Sequence, residues 1–288
     1  MGTVVVEVAV RDDRRLLDAL ASLEGQGRRP DRVLVAASPA TPGDLLDAAR
    51  TKFPTLPVVV RQFPGGVVDA RAASLPDLEE SVTAFLDSDE RAPPEWLALL
   101  VEPIEAGRAD FAGGPTRPLR PPSTSTGRYT RLLEEAIYAD LVPQSVTYLP
   151  LQNTAWKTAA LRQVGFDTRI PFAEDHDLET RAARSGLVGT FVPEAWVYHD
   201  ASAEVSFVPW ARKRYRYLVA MGMSLMKNGE LGRRLGERRR PVAHPLRFVE
   251  AAMKPIALVH AWARWRRVSR PADRGIGSGG PAPTPPAR

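Results

Sequence analysis

Two aspartates one residue apart end an apolar run in the first third of the chain. Residues 82–86 are mostly β-branched, aromatic or aliphatic, which is typical of a buried strand, and Asp87 and Asp89 follow them. At the carboxyl end of a central strand in an open α/β sheet, where ligands bind, both carboxylates can face one point. Two hard oxygen donors suit Mg²⁺ or Mn²⁺, which in turn suits a diphosphate. A solvated turn is the alternative, because Asp and Ser are ordinary turn residues.

A second acidic cluster, residues 172–181, has the sequence FAEDHDLETR. It holds four carboxylates within six positions. Glu174 and Asp175 lie at the start of a predicted helix, where the helix dipole and the free amides stabilise carboxylates. A later apolar run ends at His199. The simpler interpretation of Glu174 and Asp175 is a helix start with solvated charges, and that of His199 is a structural histidine. The order of the motifs along the chain decides between these interpretations and a functional site.

Alternating strands and helices must position these side chains. Predicted strands cover residues 3–10, 31–37, 56–61, 82–86, 110–114, 189–192 and 195–199. Predicted helices begin near residues 16 and 93 and cover residues 44–52, 68–73, 128–141, 156–164 and 174–185. Residues 117–127, rich in Pro, Ser and Thr, are predicted to form a loop. This alternation predicts an α/β fold with a doubly wound, mostly parallel sheet.

The overall composition is that of an ordinary globular protein and excludes several classes. The chain has 288 residues, enough for one large α/β domain with an appendage, and 44% of them are hydrophobic and 25% charged. The absence of cysteine excludes disulfides and thiolate metal sites. The first residues lack the basic region of a signal peptide, and no uncharged apolar run reaches the roughly 18 residues that a spanning helix requires.

Positive charge is concentrated near the C-terminus. Residues 205–270 contain 16 Lys or Arg and three Glu, a net charge of +13, whereas residues 1–204 carry −9. Two predicted amphipathic helices lie in this basic segment, and Trp262 and Trp265 lie near the end of the second. Basic residues beside tryptophans predict an interfacial anchor for an anionic membrane surface. A solvated helix pair packed on the body is the alternative, and nucleic acid is disfavoured because no known reader motif is present.

Four short motifs follow one another in a specific order. A strand ending in Asp-x-Asp is followed by Gly-Phe-Asp at 165–167, Glu-Asp-x-Asp-Leu-x-x-Arg at 174–181 and Val-Pro-x-Ala-x-Val-x-His at 192–199. This order resembles that of the family-2 glycosyltransferases with a GT-A fold. Asp-Ala-Arg at 69–71 and Gln-Asn-Thr-Ala-Trp at 152–156 are similar to two further segments of that family. The resemblance covers roughly residues 3–200 and implies an inverting enzyme that uses a nucleotide-sugar donor.

The resemblance implies a role for each matching residue. Asp87 and Asp89 would hold Mn²⁺ or Mg²⁺, with His199 as a further metal or diphosphate ligand. Asp175, beside Glu174, would be the catalytic base. An inverting transfer needs such a carboxylate to take the acceptor proton, and a cation to balance charge on the departing diphosphate. The residues expected to bind the donor nucleotide or its phosphates are Arg71, Asp12, Asp13 and Asp69.

One segment departs from the family pattern. Family members commonly have acidic residues after the second strand that contact the base and the ribose, whereas residues 35–39 here read VAASP. The exit of the first strand, with Asp12 and Asp13, could supply those carboxylates instead. The donor therefore stays open among UDP-, GDP- and dTDP-sugars.

The expected organisation has three parts. Residues 1–204 would form the GT-A catalytic domain with an acceptor-side subdomain, residues 205–269 a basic amphipathic helical extension, and residues 270–288 a disordered tail. The acceptor would be a glycan, including a lipid-linked or cell-envelope glycan. The expected location is the cytoplasm, with peripheral attachment to the inner face of the plasma membrane.

Two other function classes stay open at this point. A sugar nucleotidyltransferase on a similar sheet would need a Gly-rich loop with a basic residue after the first strand, and residues 10–15, VRDDRR, contain no glycine. A non-catalytic membrane-surface adaptor on a degenerate transferase scaffold would depend on the basic C-terminal segment. Pyrophosphate release would indicate the former, and liposome binding without turnover would indicate the latter.

Overall fold

Ten strands are present in the part of the chain that the structure describes. The structure is a computed structural model that describes residues 2–139, 141, 148–200, 206–232 and 242–269. In chain order the strands are β1 (Val4–Val10), β2 (Arg32–Ala37), β3 (Val58–Gln62), β4 (Val82–Asp87), β5 (Glu90–Arg91), β6 (Phe111–Gly113), β7 (Thr116–Pro118), β8 (Asn153–Lys157), β9 (Gly189–Phe191) and β10 (Val197–His199).

Seven of these strands form one sheet with the order β3-β2-β1-β4-β8-β6-β9. Strand β8 runs antiparallel to both of its neighbours, and every other pairing in this sheet is parallel. The prediction of a doubly wound, mostly parallel α/β sheet is therefore confirmed. The carboxyl ends of β1, β2 and β4 meet at one edge, where ligands bind in sheets of this kind.

Nine α-helices surround the sheet in the described residues. They are α1 (Leu16–Glu24), α2 (Gly43–Thr51), α3 (Val67–Ser74), α4 (Trp96–Glu105), α5 (Ser125–Tyr138), α6 (Thr158–Val164), α7 (Glu174–Arg184), α8 (Phe207–Lys227) and α9 (Leu246–Val268). None of them is both long and apolar enough to cross a membrane.

Strand β1 is buried along its whole length because apolar layers cover both faces of the sheet. Val6 and Val8 belong to a core that includes α1 and α4, whereas Val5 packs into the core on the opposite face with Phe85 and Trp156. Burial of each such side chain contributes about 1.5–3 kcal/mol. This is why the strand is a nearly continuous apolar run in the sequence.

A small second sheet has the order β5-β10-β7 and lies beside the carboxyl end of β4. His199 pairs with Glu90 across the antiparallel β10–β5 ladder. The main-chain N–H of Asp200 donates to the carbonyl of Asp89 at 2.9 Å. These contacts hold the end of β10 against the residues that follow β4.

The C-terminal helices α8 and α9 pack on each other and on the body. Gly222 allows close approach, because a Cβ there would lie 2.8 Å from Ala261 Cβ. Asp177 on α7 is fully buried and lies 2.8 Å from Lys227 Nζ at the end of α8. The boundary predicted at residue 204 and the predicted tail at 270–288 lie outside the described residues.

Two strands lie where the sequence pattern predicts other structure. Residues 153–157 form β8, although a helix is predicted from residue 156, and α6 begins only at Thr158. Trp156 is fully buried and stacks on Phe111 with ring centroids 4.3 Å apart, so tertiary packing overrides the local pattern. Strand β7 overlaps the start of the predicted 117–127 loop, and α5 begins earlier than expected, capped by Thr124 Oγ1.

Candidate active site

Arg71 joins three segments of the chain at the carboxyl edge of the large sheet. It lies on α3 and is only 3% exposed. Its Nη2 donates to Asp87 Oδ1 at the end of β4 (2.6 Å), and its Nη1 donates to Glu174 Oε1 at the start of α7 (3.1 Å). The two acidic clusters, which are far apart in the sequence, are therefore bridged by one guanidinium.

Glu7 lies behind Arg71 in the middle of β1 and is fully buried. Its Oε2 accepts a hydrogen bond from Ser74 Oγ at 2.8 Å, while its Oε1 and Arg71 Nε have no partner in the described part of the chain. Burial raises the pKa of Glu7 to about 7, although the charge of Arg71 opposes the shift. Burial also opposes the charge on Arg71, but Asp87, Glu174 and Glu7 raise its pKa, so Arg71 stays protonated.

Asp89 and His199 form a second polar pair beside the first. His199 Nε2 lies 3.5 Å from Asp89 Oδ2, and its Nδ1 lies 3.5 Å from Glu134 Oε1 on α5. Burial alone would lower the pKa of His199, but the two carboxylates raise it well above its usual value. Burial favours protonated Asp89, yet His199, Arg15 and Lys213 lower the pKa of this carboxyl.

Arg15 connects Asp89 to the exit of β1. Its Nη2 lies 2.6 Å from Asp13 Oδ2 and 3.5 Å from Asp89 Oδ2. Asp13 Oδ1 also accepts the main-chain N–H of Arg15 at 2.9 Å, so Asp13 shapes the turn before α1. Asp12 is exposed on the same turn, and neither aspartate lines the cleft described below.

Asp175 is held by two hydrogen bonds at the start of α7. Its Oδ2 accepts from the hydroxyl of Tyr148 at 2.6 Å, and its Oδ1 accepts from the main-chain N–H of His176 at 2.7 Å. The Tyr148 hydroxyl is also within hydrogen-bonding reach of Tyr217 on α8. The carboxylate is therefore fixed by the segment before β8 and by the first turn of α7.

Three carboxyl groups at this edge, those of Asp87, Glu174 and Asp175, have raised pKa values. Burial and the neighbouring Asp175 raise the pKa of Glu174 to about 7. Burial raises the pKa of Asp175, and the hydrogen bond from Tyr148 offsets only part of that shift. Burial and Asp89 likewise raise the pKa of Asp87 against the effect of Arg71. Raised carboxyl pKa values are typical of groups that exchange protons during catalysis.

Glu90 is the acidic residue buried most deeply beside the Asp-x-Asp segment. It is 1% exposed, and its Oε2 accepts the main-chain N–H of Asp87 at 3.1 Å. Its Oε1 has no partner among the described residues. Burial, together with the negative charge of Asp87, raises the pKa of Glu90 well above its usual value. The hydrogen bond from the Asp87 N–H to Glu90 keeps the chain turn after β4 in place.

An open cleft of about 1280 Å³ lies beside these residues; Arg71, Asp87 and Glu174 line it, whereas Asp89, Asp175 and His199 are not among its lining residues. Its inner wall includes Arg71, Asp87, Asp69 and Glu174, together with Ser38, Pro39 and Ala40 at the exit of β2. Its outer wall comes from α8 and α9, with Arg216, Arg264 and Arg267 among its residues. The segment without acidic residues after β2 therefore lies in the same cleft as the bridged carboxylates.

Asp69 has a structural contact as well as a place in the cleft. Its Oδ2 accepts the main-chain N–H of Gly66 at 2.7 Å and closes a capping box at the start of α3. Gly65 has a φ of 86°, and a Cβ there would lie 2.6 Å from Asp69 Cβ. This glycine therefore allows the sharp turn that directs α3, and with it Arg71, toward the end of β4.

The donor set suits a divalent cation, although each candidate ligand has another partner. In the described residues no group of three or more His, Cys, Asp or Glu is arranged to hold a metal ion. Asp89 and His199 already face each other, and Asp87 lies two residues before Asp89 in the chain. Carboxylate oxygens and an imidazole nitrogen are ligands that Mn²⁺ accepts. These three residues therefore fit such an ion by their chemistry.

Several residues of the site carry no motif in the sequence. Glu7, Arg15 and Glu134 are brought to the site by tertiary contacts, and so is Tyr148. Glu7 alone leaves a signal, because a carboxylate interrupts the otherwise apolar run of β1. A charged residue within a buried strand requires a partner, which could have marked it as part of a polar site.

Comparisons with known proteins agree with this arrangement. The family model described as Glycosyl transferase family group 2 matches residues 82–269. The succinoglycan biosynthesis protein ExoM of Rhizobium meliloti is 25% identical over 226 residues, which are 74% of this chain and 73% of ExoM.

Solved structures with the same fold include two sugar-binding complexes. The mannosyltransferase PcManGT from Pyrobaculum calidifontis, in complex with GDP-Man and Mn²⁺, has a TM-score of 0.62 at 19% identity, over 93% of this chain and 75% of that one. S. aureus TarS 1–349, in complex with UDP-GlcNAc, has a TM-score of 0.53 at 17% identity, over 91% and 81% of the two chains. Identities this low show the fold alone, which is GT-A.

The family match begins with β4 and the Asp-x-Asp segment and continues through α7 and β10 to the C-terminal helices. It therefore includes Asp87, Asp175 and His199, and it covers well over half of the chain. The resemblance inferred from the motifs is confirmed, and the chain belongs to the glycosyl transferase family group 2 and is a glycosyltransferase.

Proposed function

We propose that this glycosyltransferase is inverting and metal-dependent, and that it moves a sugar from a nucleotide-sugar donor to an acceptor hydroxyl. The observation that carries the proposal is the placement of Asp175. Its carboxylate is anchored by Tyr148 and by the His176 N–H, and its charge interacts with that of Asp87. One carboxylate held apart from a metal-binding pair is the arrangement that a single displacement requires.

In this proposal Asp175 accepts the proton of the acceptor hydroxyl. Burial raises its pKa, which makes the carboxylate a stronger base than a solvent-exposed aspartate. Tyr148 holds one oxygen in a fixed direction, so the base does not have to reorient during the reaction. Two carboxyl groups flanking a scissile bond, as glycoside hydrolysis requires, are not needed here.

Asp87, Asp89 and His199 would hold the Mn²⁺ or Mg²⁺ of this enzyme. When bound, such an ion stabilises the negative charge on a departing diphosphate. Arg71 keeps Asp87 and Glu174 in position through its two hydrogen bonds, and Arg15 lies beside Asp89. PcManGT, which has the same fold, is solved with Mn²⁺ and GDP-Man, and this supports the proposed ion.

The donor would be a UDP-, GDP- or dTDP-sugar that binds in the cleft beside the exit of β2. GDP-Man in the PcManGT complex and UDP-GlcNAc in the TarS complex support a nucleotide sugar. Ser38 and Ala40 line this part of the cleft, and neither has a carboxylate for the base or the ribose. Asp69 is the acidic residue of the inner wall nearest in the chain to Arg71, and we propose that it takes part in donor binding.

The acceptor would be a glycan of the cell envelope, including a lipid-linked one. ExoM is a succinoglycan biosynthesis protein, which supports a glycan acceptor. A cytoplasmic enzyme attached to the inner face of the plasma membrane would reach such an acceptor. The outward face of α9 supports attachment, because Phe248, Ile256, Val259 and Trp262 are each more than half exposed.

Arginines surround this apolar face of α9. Arg247 lies over the ring of Phe248, and Arg266 lies over the ring of Trp262 at 4.8 Å from its centroid. Apolar side chains flanked by cations bind at the boundary of an anionic bilayer. Trp265, expected to act with Trp262, instead packs inward against α8 and beneath Arg169.

Asp175→Asn tests the assignment of the base. We expect turnover to fall by at least about a hundredfold, since a positioned general base contributes roughly 10²–10⁴-fold. Nucleotide affinity, measured by calorimetry, should stay close to that of the wild type, which also controls for folding. Retained turnover in a variant that binds nucleotide normally would overturn the assignment.

Co-sedimentation with vesicles tests the membrane proposal. The Ile256→Ser/Trp262→Ser variant should bind vesicles of phosphatidylcholine and phosphatidylglycerol much more weakly than the wild type. Val188→Ser is the matched control, because Val188 is 55% exposed but lies on the turn before β9. Equal binding by the wild type and the α9 variant would remove α9 as the attachment surface.

A further inference from the structure

The outer wall of the cleft carries three arginines that have no carboxylate partner among the residues that the structure describes. Arg216 on α8 and Arg264 and Arg267 on α9 are exposed and line the same cleft as Arg71. None of the three forms an ion pair within the described part of the chain, whereas Arg71 is paired with both Asp87 and Glu174. The buried arginine of the inner wall is thus paired with carboxylates, whereas the outer wall presents to the same space positive charge that no carboxylate of the described residues pairs with.

Arg216 is held in a position that leaves its donors available. Its guanidinium stacks over the ring of Phe172, with its central carbon 4.3 Å from the ring centroid. Phe172 itself has a φ of 71°, a left-handed conformation that is unusual for an aromatic residue. It lies two residues before Glu174 and is 44% exposed at the rim. A stacked guanidinium keeps its N–H edge free to bind an oxyanion.

The size of the cleft leaves room for more than one group. Its volume of about 1280 Å³ exceeds the range of roughly 300–1,000 Å³ that is usual for a small-molecule site. The inner wall already offers a place for the donor, at the exit of β2 and beside Arg71 and Asp87. The arginine-lined wall is therefore available to a second substrate.

We propose that Arg216, Arg264 and Arg267 form a second anion-binding site that takes the phosphate group of the acceptor. The inference rests on the proposed function, and it adds a substrate class to it: an acceptor that bears both a free hydroxyl and a phosphate or diphosphate. Three arginines supply more N–H donors than a single carboxylate can accept, and they match a multiply charged phosphate. The phosphate can belong to a lipid or to a soluble sugar phosphate.

Calorimetry on the full chain with saturating nucleotide and Mn²⁺ tests this site. Inorganic pyrophosphate, titrated into that complex, should still bind the wild type. The Arg264→Gln/Arg267→Gln variant should bind it about tenfold or more weakly, the loss expected for charged hydrogen bonds. Arg266→Gln, on the outward face of α9 over Trp262, is the matched control and should bind pyrophosphate like the wild type.

The affinity for nucleotide separates this inference from the proposed function. If the wild type binds nucleotide but no pyrophosphate beside it, or if the double variant loses nucleotide affinity equally, the second site is overturned and the transferase proposal stands. If the wild type binds no nucleotide, the proposed function fails as well.

Replacing pyrophosphate with glucose 1-phosphate and with dihexanoyl phosphatidic acid shows which kind of molecule carries the phosphate that this site binds. Tighter binding of the lipid indicates a lipid phosphate, and tighter binding of glucose 1-phosphate indicates a soluble acceptor.

Discussion

Arg71 is the residue on which the arrangement of the acidic cleft depends. It is the buried cation between Asp87, Glu174 and Glu7, three carboxyl groups that come from distant parts of the sequence. Without it, these groups would repel one another and would have to take up protons. The pKa values of about 7 for Glu7 and Glu174 show that one arginine compensates the burial of these two only in part.

Replacement of Arg71 by Met should destabilise the protein strongly. Removing one partner of a buried ion pair leaves uncompensated charge and typically costs about 3–5 kcal/mol. Denaturant unfolding at pH 8 measures the loss. Arg61→Met is the control, because the Arg61–Asp77 pair is half exposed and its loss should cost less than about 1 kcal/mol. Similar losses in the two variants would contradict the central role of Arg71.

Glu7→Gln should reduce the pH dependence of stability. The pKa of Glu7 is raised from 4.5 to about 7 in the folded state. Its contribution to stability is therefore complete below about pH 4.5 and is lost as the pH rises through 7. Between pH 5 and pH 8 the wild type should lose about 2–3 kcal/mol more free energy of unfolding than the variant.

The control for this experiment is Glu194→Gln, at an exposed position between β9 and β10. The free energy of unfolding of Glu194→Gln should change with pH in the same way as that of the wild type. If the free energies of unfolding of wild type and Glu7→Gln change in parallel from pH 5 to pH 8, then Glu7 does not titrate in this range.

Five residues of the candidate site could be proposed from the sequence, and most of their partners could not. Asp87, Asp89, Glu174, Asp175 and His199 lie at the ends of elements that local patterns reveal, and their order resembles a known family. Their partners are fixed by contacts between residues tens to more than a hundred positions apart, and no local pattern encodes such pairings. An example is the Tyr148 hydroxyl on the carboxylate at the start of α7.

At the scale of elements, the site depends on two additions to the α/β sheet. The small sheet brings the end of β10 against the turn after β4, and the C-terminal helices close the cleft from outside. The strands and helices of the first half follow local periodicity, so the sequence predicts them well. Strand β8 does not, because its antiparallel pairing with β4 and β6 is set by distant chain segments.

Gly222→Val should separate α9 from α8. Even a Cβ at this position would lie 2.8 Å from Ala261 Cβ, so a branched side chain forces the helices apart. We expect a lower Tm together with weaker binding of ligands to the outer wall of the cleft. Gly43→Ala is the control, because a Cβ on that residue of α2 meets nothing within 4 Å. An unchanged Tm for Gly222→Val would contradict the close packing of the two helices.

At the scale of the whole molecule, an acidic body meets a basic C-terminal region. Some basic residues of the C-terminal region form ion pairs with acidic residues of the body. Lys227 Nζ, for example, lies 2.7 Å from a carboxylate oxygen of Asp167 and 2.8 Å from one of Asp177. Other arginines of the described residues face the cleft (Arg216, Arg264 and Arg267) or lie on the outward side of α9 (Arg247 and Arg266). The positive charge of this region and its two helices could be predicted from the sequence. Amphipathicity does not determine which surface of the body a helix covers. The outer wall of the cleft could therefore be identified only from the structure.

The most direct test of the account is nucleotide binding by calorimetry. UDP, GDP, dTDP and CDP would each be titrated into the wild type and into Asp89→Asn, with Mn²⁺ and with EDTA. The account predicts that the wild type binds one nucleotide in a Mn²⁺-dependent manner and that the variant binds it at least about tenfold more weakly, through loss of a metal ligand. Binding of none of the four, or binding that is equal in EDTA and in the variant, would contradict a metal-dependent donor site at Asp87 and Asp89.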